Sequence, residues 1–293
     1  MQFGILVLLV AGVLGLFSTA AQKALRGWFQ RRPWLIWAVP PLLTAVFSAA
    51  ALVANAWNGP LTLLIFGYTL LPAACMAAQG PGFAKRPAWL DFVAILLLWL
   101  PLEFGAGSGL VRPAARGYLH STAYGVAILL GLVLFTGFRW FPDLKYNLPR
   151  SRRDLWLPPA GFALVAPVLI GLGVTIGFIP SPHLPVKTAE AMASAAPVIF
   201  LGTALPEEIL FRSLIQNLLM LRWGAGLRVL LFASFIFGCA HLDNGPQPLP
   251  NWRYMILATI AGVAYGRVFQ KSTSVVSSSV LHTMVDWTKH FFF

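Results

Sequence analysis

Charge is scarce in this chain. Only 10% of its 293 residues are Asp, Glu, Lys or Arg, just nine residues are acidic, and 58% are hydrophobic. A soluble domain carries roughly a quarter charged residues, so the composition excludes an ordinary soluble fold. Cysteine is nearly absent too. Cys75 and Cys239 both fall in apolar stretches, where they read as small core residues and offer neither a disulfide framework nor a thiolate metal site. Internal repeats, low-complexity tracts and long linkers are also missing. The opening run, GILVLLVAGVLGLFSTAAQKA, has no positive charge ahead of its apolar core; the charges follow it. That order argues for a retained first helix rather than a cleaved secretory signal.

Long apolar runs are abundant. About 20 apolar residues span a bilayer as a helix, and ten such segments can be read, at roughly 2–20, 33–56, 61–78, 88–104, 121–138, 157–179, 189–221, 227–242, 252–269 and 274–293. The expected fold is all-α, a polytopic bundle of about ten transmembrane helices. With ten spans, one face collects fifteen basic residues: Lys23, Arg26, Arg31, Arg32, Lys85, Arg86, Arg139, Lys145, Arg150, Arg152, Arg153, Arg222, Arg228, Arg267 and Lys271. The other face holds five, and Arg212 lies inside a helix. The positive-inside rule makes the richer face cytoplasmic, with both termini outside. The net charge of +12 is thus explained by topology. No basic, aromatic-interleaved patch suggests nucleic acid. The polar loop from Phe138 to Pro159 divides the chain into accessory N-terminal helices, 1–156, and a C-terminal core, 157–293.

Most acidic residues sit at span ends or in loops, but Glu207, Glu208 and Asp286 lie deeper, as do His241 and His282. In TALPEEILFRSLIQNLL, three charges share one apolar helix. Unpaired at mid-bilayer, they would cost roughly 8–10 kcal/mol on insertion scales, so they must be paired or face a wet cavity. Glu208 and Arg212 are four apart and share a helical face, as an ion pair requires. Glu207 is turned about 100° away and meets only Leu210 and Phe211 on its own helix. Pro206, lacking a backbone donor, is expected to kink or break the helix. Two further helices bring Phe237 with His241, and His282 with Asp286, again four apart. Each pair taken alone has a packing or stapling role. A carboxylate beside a neutral imidazole can also hold a water and remove its proton, and three inward-facing polar elements in an apolar interior point to a site.

In order, Glu207-Glu208-x-x-x-Arg212, Phe237-x-x-x-His241 and His282-x-x-x-Asp286 resemble the CPBP family of intramembrane proteases. That family includes CAAX prenyl endopeptidases and abortive-infection and bacteriocin-processing proteins. The resemblance covers about residues 190–290. It implies Glu207 as general base, His241 as its partner in activating water, Glu208 and Arg212 as a supporting pair with Phe237 packed beside them, and His282 and Asp286 as oxyanion stabilisers. Many members have asparagine at the last position. An ionised Asp286 cannot donate to an oxyanion, so orientation of His282 is its expected role, leaving His282 as the donor.

Members of the family are often called metalloproteases, and Glu207, His241, His282 and Asp286 would be the zinc ligands if a metal were used. No His-Glu-x-x-His pair is present, and the expectation is a glutamate-activated water without cofactor. Ser108, in a Gly-rich loop, does not fit a serine intramembrane protease, and no Gly-x-Gly-Asp occurs. The resulting expectation is an intramembrane endopeptidase of a bacterial plasma membrane, acting on a membrane-associated peptide or protein such as a lipidated, CAAX-like C-terminus. The competing readings are a transporter or proton-relay protein and a catalytically inactive membrane scaffold.

Overall fold

The computed structural model describes residues 2–245 and 248–293, and the chain divides into two compact units, Met1–Leu144 and Lys145–Phe293. Both are built almost wholly from helices.

In the first unit, α1 (Gln2–Gly15) and α2 (Thr19–Arg31) meet at about 90°. A turn of 3-10 helix leads into α3 (Val39–Val53), and α4 (Gly59–Ala77), α5 (Trp89–Glu103) and α6 (Pro113–Leu132) follow. One buried charge orders the end of this unit. Asp91, with no exposed surface, caps α5 by accepting from the Ala88 N–H at 2.7 Å and takes a 2.9 Å ion pair from Arg139. Arg139 is held by the one short strand pair, β1 (Gly82–Phe83) lying parallel to β2 (Arg139–Trp140).

The second unit opens with α7 (Arg152–Thr175) and α8 (Ala189–Ile199). From Ala189 to Trp223 the backbone stays helical but alternates in pitch: a π-helical stretch Phe200–Ala204, the single turn α9 (Leu205–Glu208), a second π stretch Ile209–Gln216, then α10 (Asn217–Trp223). Pro206 therefore does not break the helix. Its ring crowds the carbonyl four residues back and it offers no N–H. The wider turn just before it, in which Leu205 N–H bonds the carbonyl of Phe200 five residues back, absorbs that defect. Single π turns of this kind recur at functional sites.

After α10 come α11 (Leu227–Cys239), α12 (Trp252–Lys271) and α13 (Val275–Phe292). Glycines let α11 and α12 approach closely. A Cβ on Gly238 would lie 2.0 Å from Thr259 Oγ1 and 2.7 Å from the Met255 carbonyl, and one on Gly262 would lie 3.1 Å from the Phe237 ring. Small residues at such seams suit helices that pack in lipid. At the other end, the Asp154 carboxylate accepts from the backbone of Arg150, Ser151 and Thr273 and from the Thr273 hydroxyl, clasping the start of α7 to the α12–α13 turn.

The protein is a helical bundle of membrane type. Among the described residues, four helices can cross a bilayer by length and hydropathy (Pro33–Val53, Gly59–Ala77, Pro113–Phe138 and Arg152–Thr175), or five with the bent α1–α2 pair. The other expected spans fold as helices too short or too polar for that criterion. α11 has 13 residues, and α13 has 18 residues, carrying His282, Asp286 and Lys289. We expect Gly238→Ala to wedge α11 from α12 and lower stability by about 1–3 kcal/mol, as overpacking does; thermal unfolding in detergent measures it.

Candidate active site

The site is assembled from α9, α11, α12 and α13. Glu208, at the end of α9, has no exposed surface, and neither has Arg212. Arg212 Nε lies 3.2 Å from Glu208 Oε2, the i,i+4 pair expected from spacing, surviving the π-helical pitch that begins between them. The other Glu208 oxygen, Oε1, faces His282 Nδ1 at 3.3 Å. A buried carboxylate thus ties α9 to α13. The Arg212 guanidinium rests on the Phe237 ring at 4.8 Å and near Tyr265 at 5.9 Å. Its two Nη groups find no hydrogen-bond partner among the described residues; Glu208 is the counter-charge, and the ring faces receive the rest of the guanidinium.

His282 sits among carboxylates. Its Nε2 is 3.4 Å from Asp286 Oδ2, one turn along α13, and 3.9 Å from Glu207 Oε2. The side chains of Glu207 and Asp286 are 28% and 29% accessible, whereas Glu208 is sealed. The adjacent glutamates therefore have different environments: Glu208 lies in the wall and Glu207 reaches the accessible side. The imidazole is held flat by Tyr265, stacked at 4.5 Å with rings 23° apart. With Nδ1 facing Glu208 and Nε2 facing Asp286 and Glu207, each ring N–H has a carboxylate acceptor. Asp286 thus faces His282 from one turn away, and both ring nitrogens are turned toward carboxylates.

His241 lies two residues beyond the end of α11, in the turn that follows the helix. Its Nδ1 is 2.8 Å from the Phe237 carbonyl. A carbonyl can only accept, so Nδ1 carries the proton and donates, satisfying an orphan carbonyl at the helix end. In the neutral ring Nε2 is then a lone-pair acceptor, available to hold a water. Phe237 is the hub of this arrangement, with ring centroids 4.8 Å from His241, 5.8 Å from His282 and 5.0 Å from Phe211.

Two cavities meet here. A narrow apolar slot of about 80 Å³ runs between α7, at Phe162, Ala166 and Ile170, and α12, and ends on His241, His282 and Asp286. A wider cavity of about 760 Å³ opens between α8 and α13 and shares Tyr254, Asp286 and Lys289 with the slot. Tyr254 and Lys289 were not legible as site residues. Tyr254 packs its ring 4.5 Å from His241, and Lys289 Nζ lies over that same ring at 4.4 Å. The signal in sequence was the α12 stripe Tyr254, Leu257, Ala258, Ala261, Tyr265, which lines the slot throughout but has the spacing of an ordinary packing face.

A family model described as type II CAAX prenyl endopeptidase, Rce1-like, matches residues 189–288. Residues 189–288 form a CPBP-family intramembrane protease domain. The match indicates a peptidase, and the matched segment lies within the second unit. No curated protein and no solved structure matches the chain. The CPBP domain holds every motif residue, from Glu207 to Asp286, within the matched segment.

Of the zinc set Glu207, His241, His282 and Asp286, His241 keeps a lone pair on Nε2 while His282 is engaged at both nitrogens. Zinc needs ligand lone pairs converging at about 2.0–2.2 Å, whereas both nitrogens of His282 face carboxylates and Nδ1 of His241 is committed to a carbonyl. Among the described residues, no group of three or more His, Cys, Asp or Glu is placed to hold an ion. We expect Arg212→Leu to destabilise the CPBP domain by about 3–5 kcal/mol, because it strands the buried Glu208 charge, and adding Glu208→Gln to recover much of that loss. Denaturation midpoints of the wild type, single and double variants report both effects.

Proposed function

We propose that the chain hydrolyses a peptide bond of a membrane-associated peptide with water activated by Glu207. The observation that carries this reading is the contrast between the two glutamates: Glu208 is locked to Arg212 and His282, while Glu207, one residue away, is 28% accessible and lies 3.9 Å from His282 Nε2. Glu207 takes a proton from water as the oxygen attacks the carbonyl carbon, and returns it to the departing amine. His241, with Nε2 free to accept, steadies the water. His282 fixes the separation of Glu207 and Asp286, and Asp286 orients the ring. Phe237, Tyr265 and Arg212 keep that ring from turning. The steps are written with these side chains alone.

The substrate we infer has an apolar portion that enters the slot between α7 and α12 and a peptide portion in the wider cavity. A lipidated, CAAX-like C-terminus has both. We assign the protein to a bacterial plasma membrane; a ten-span topology would put the fifteen-residue basic face on the cytoplasmic side.

Wild type and Glu207→Gln, expressed at equal levels in the native membrane, should differ in their peptide termini by mass spectrometry. New termini with wild type alone are expected, with the variant slowed by about 10²–10⁴-fold. Identical termini from two folded proteins would sink the hydrolase reading and leave a transporter or scaffold.

A further inference from the structure

Hydrolysis through a tetrahedral intermediate requires hydrogen-bond donors for the oxygen that gains charge, and among the motif residues these are few. Glu207, Glu208 and Asp286 carry three carboxylates into the site. Both nitrogens of His282 face them, at 3.3 Å to Glu208 and 3.4 Å to Asp286. His241 uses its proton on the Phe237 carbonyl at 2.8 Å. Arg212 has no exposed surface and lies behind Phe237, 4.8 Å from that ring. Any oxyanion formed beside these groups would meet acceptors.

The donors that line both cavities are Tyr254 and Lys289. Tyr254 stands on the first turn of α12, where Asn251 caps the helix by accepting from the Tyr254 N–H at 3.0 Å. Its ring is gripped from two sides, by the His241 ring at 4.5 Å and by Lys289 Nζ at 4.4 Å. Lys289 also lies over Phe178 at 4.8 Å, which fixes the cation against the aromatic face and keeps it within the field of Asp286. The Tyr254 hydroxyl makes no hydrogen bond to any described residue, and it is close enough to Glu207 and Asp286 to interact electrostatically with both. Among the described residues its O–H has no acceptor, and Tyr254 lines both the slot and the wider cavity.

We propose that Tyr254 is a catalytic residue whose phenol donates the hydrogen bond to the oxyanion of the tetrahedral intermediate. The inference rests on the hydrolase reading above. As Glu207 takes the water proton and the water oxygen bonds to the carbonyl carbon, the carbonyl π electrons move onto its oxygen. The Tyr254 O–H binds that oxygen without transferring its proton. When the carbon–nitrogen bond breaks, the electrons return to the carbonyl, the amine takes the proton from Glu207, and the hydrogen bond weakens. A donor held by its ring before substrate arrives needs no reorganisation at that moment, which is the source of its advantage. Lys289 is the positioning residue: its ammonium holds the ring face and offsets the Asp286 carboxylate beside the developing charge.

Tyr254→Phe keeps the ring that packs on His241 and Lys289 and removes only the hydroxyl. Enzyme in lipid nanodiscs would be assayed with a quenched synthetic peptide spanning a cleavage site found by the terminal analysis. The expected result is a kcat lower by about 10²–10³-fold with KM changed less than about threefold, the size of losing one oxyanion donor. A phosphinic analogue of the same peptide, which carries the tetrahedral oxygens, should bind the variant more weakly by a similar factor. A kcat within about threefold of wild type, or a loss confined to KM, overturns the assignment of Tyr254 while leaving Glu207 in place. The absence of any Glu207-dependent cleavage overturns the hydrolase reading, and this inference falls with it.

Discussion

Glu208 is the group on which the rest of the second unit depends. A carboxylate with no exposed surface is tolerated only when its hydrogen-bonding capacity is met by groups that cannot drift away. Here Arg212 meets it from the same helix and His282 from α13. Rotating α13 by one residue would swing its side chains by about 100° and withdraw His282, leaving the charge uncompensated. The register of α13 is therefore set by a residue with no chemical step assigned to it. Asp286, one turn on, and Glu207, one residue back on α9, inherit their places from the same constraint.

Around that charge the chain places rings rather than polar side chains. Phe211, Phe237, Tyr265 and Tyr254 surround Arg212 and the two histidines at centroid distances of 4.5–6.0 Å. Rings fill space, exclude water and have faces that receive a guanidinium or an ammonium. Electrostatic interactions inside such a wall are stronger than in water. The close seam between α11 and α12, made possible by Gly238 and Gly262, is what brings Phe237 and His241 against the tyrosines of α12.

Much of this was legible in the sequence because it follows helical spacing. Glu208 with Arg212 and His282 with Asp286 pair at i,i+4 as expected, and the split between the adjacent glutamates follows from a rotation of about 100° per residue. What spacing could not give was pitch: two π-helical stretches flank α9, and nothing in the residue pattern distinguishes them from α-helix. It could not give His241 either as part of a turn rather than a helix, since Phe237 and His241 sit four apart in both cases. Tyr254 was hidden because aromatics at helical spacing normally pack. The number of crossings was not fixed by hydropathy, since α13 is made polar by His282, Asp286 and Lys289, and α12 by Arg253, Arg267, Gln270 and Lys271.

The Asp154 clasp bears on how a substrate could arrive. It fastens the start of α7 to the turn that begins α13, so the two sides of the slot are staked together at that end. α8 is held differently. It has no buried side chain, and Trp287 Nε1 on α13 reaches its Met192 carbonyl at 2.7 Å. A wall of small residues tied through an indole proton yields more readily than one staked by a buried carboxylate, so α8 is the side of the wider cavity that parts from α13 at the lower cost.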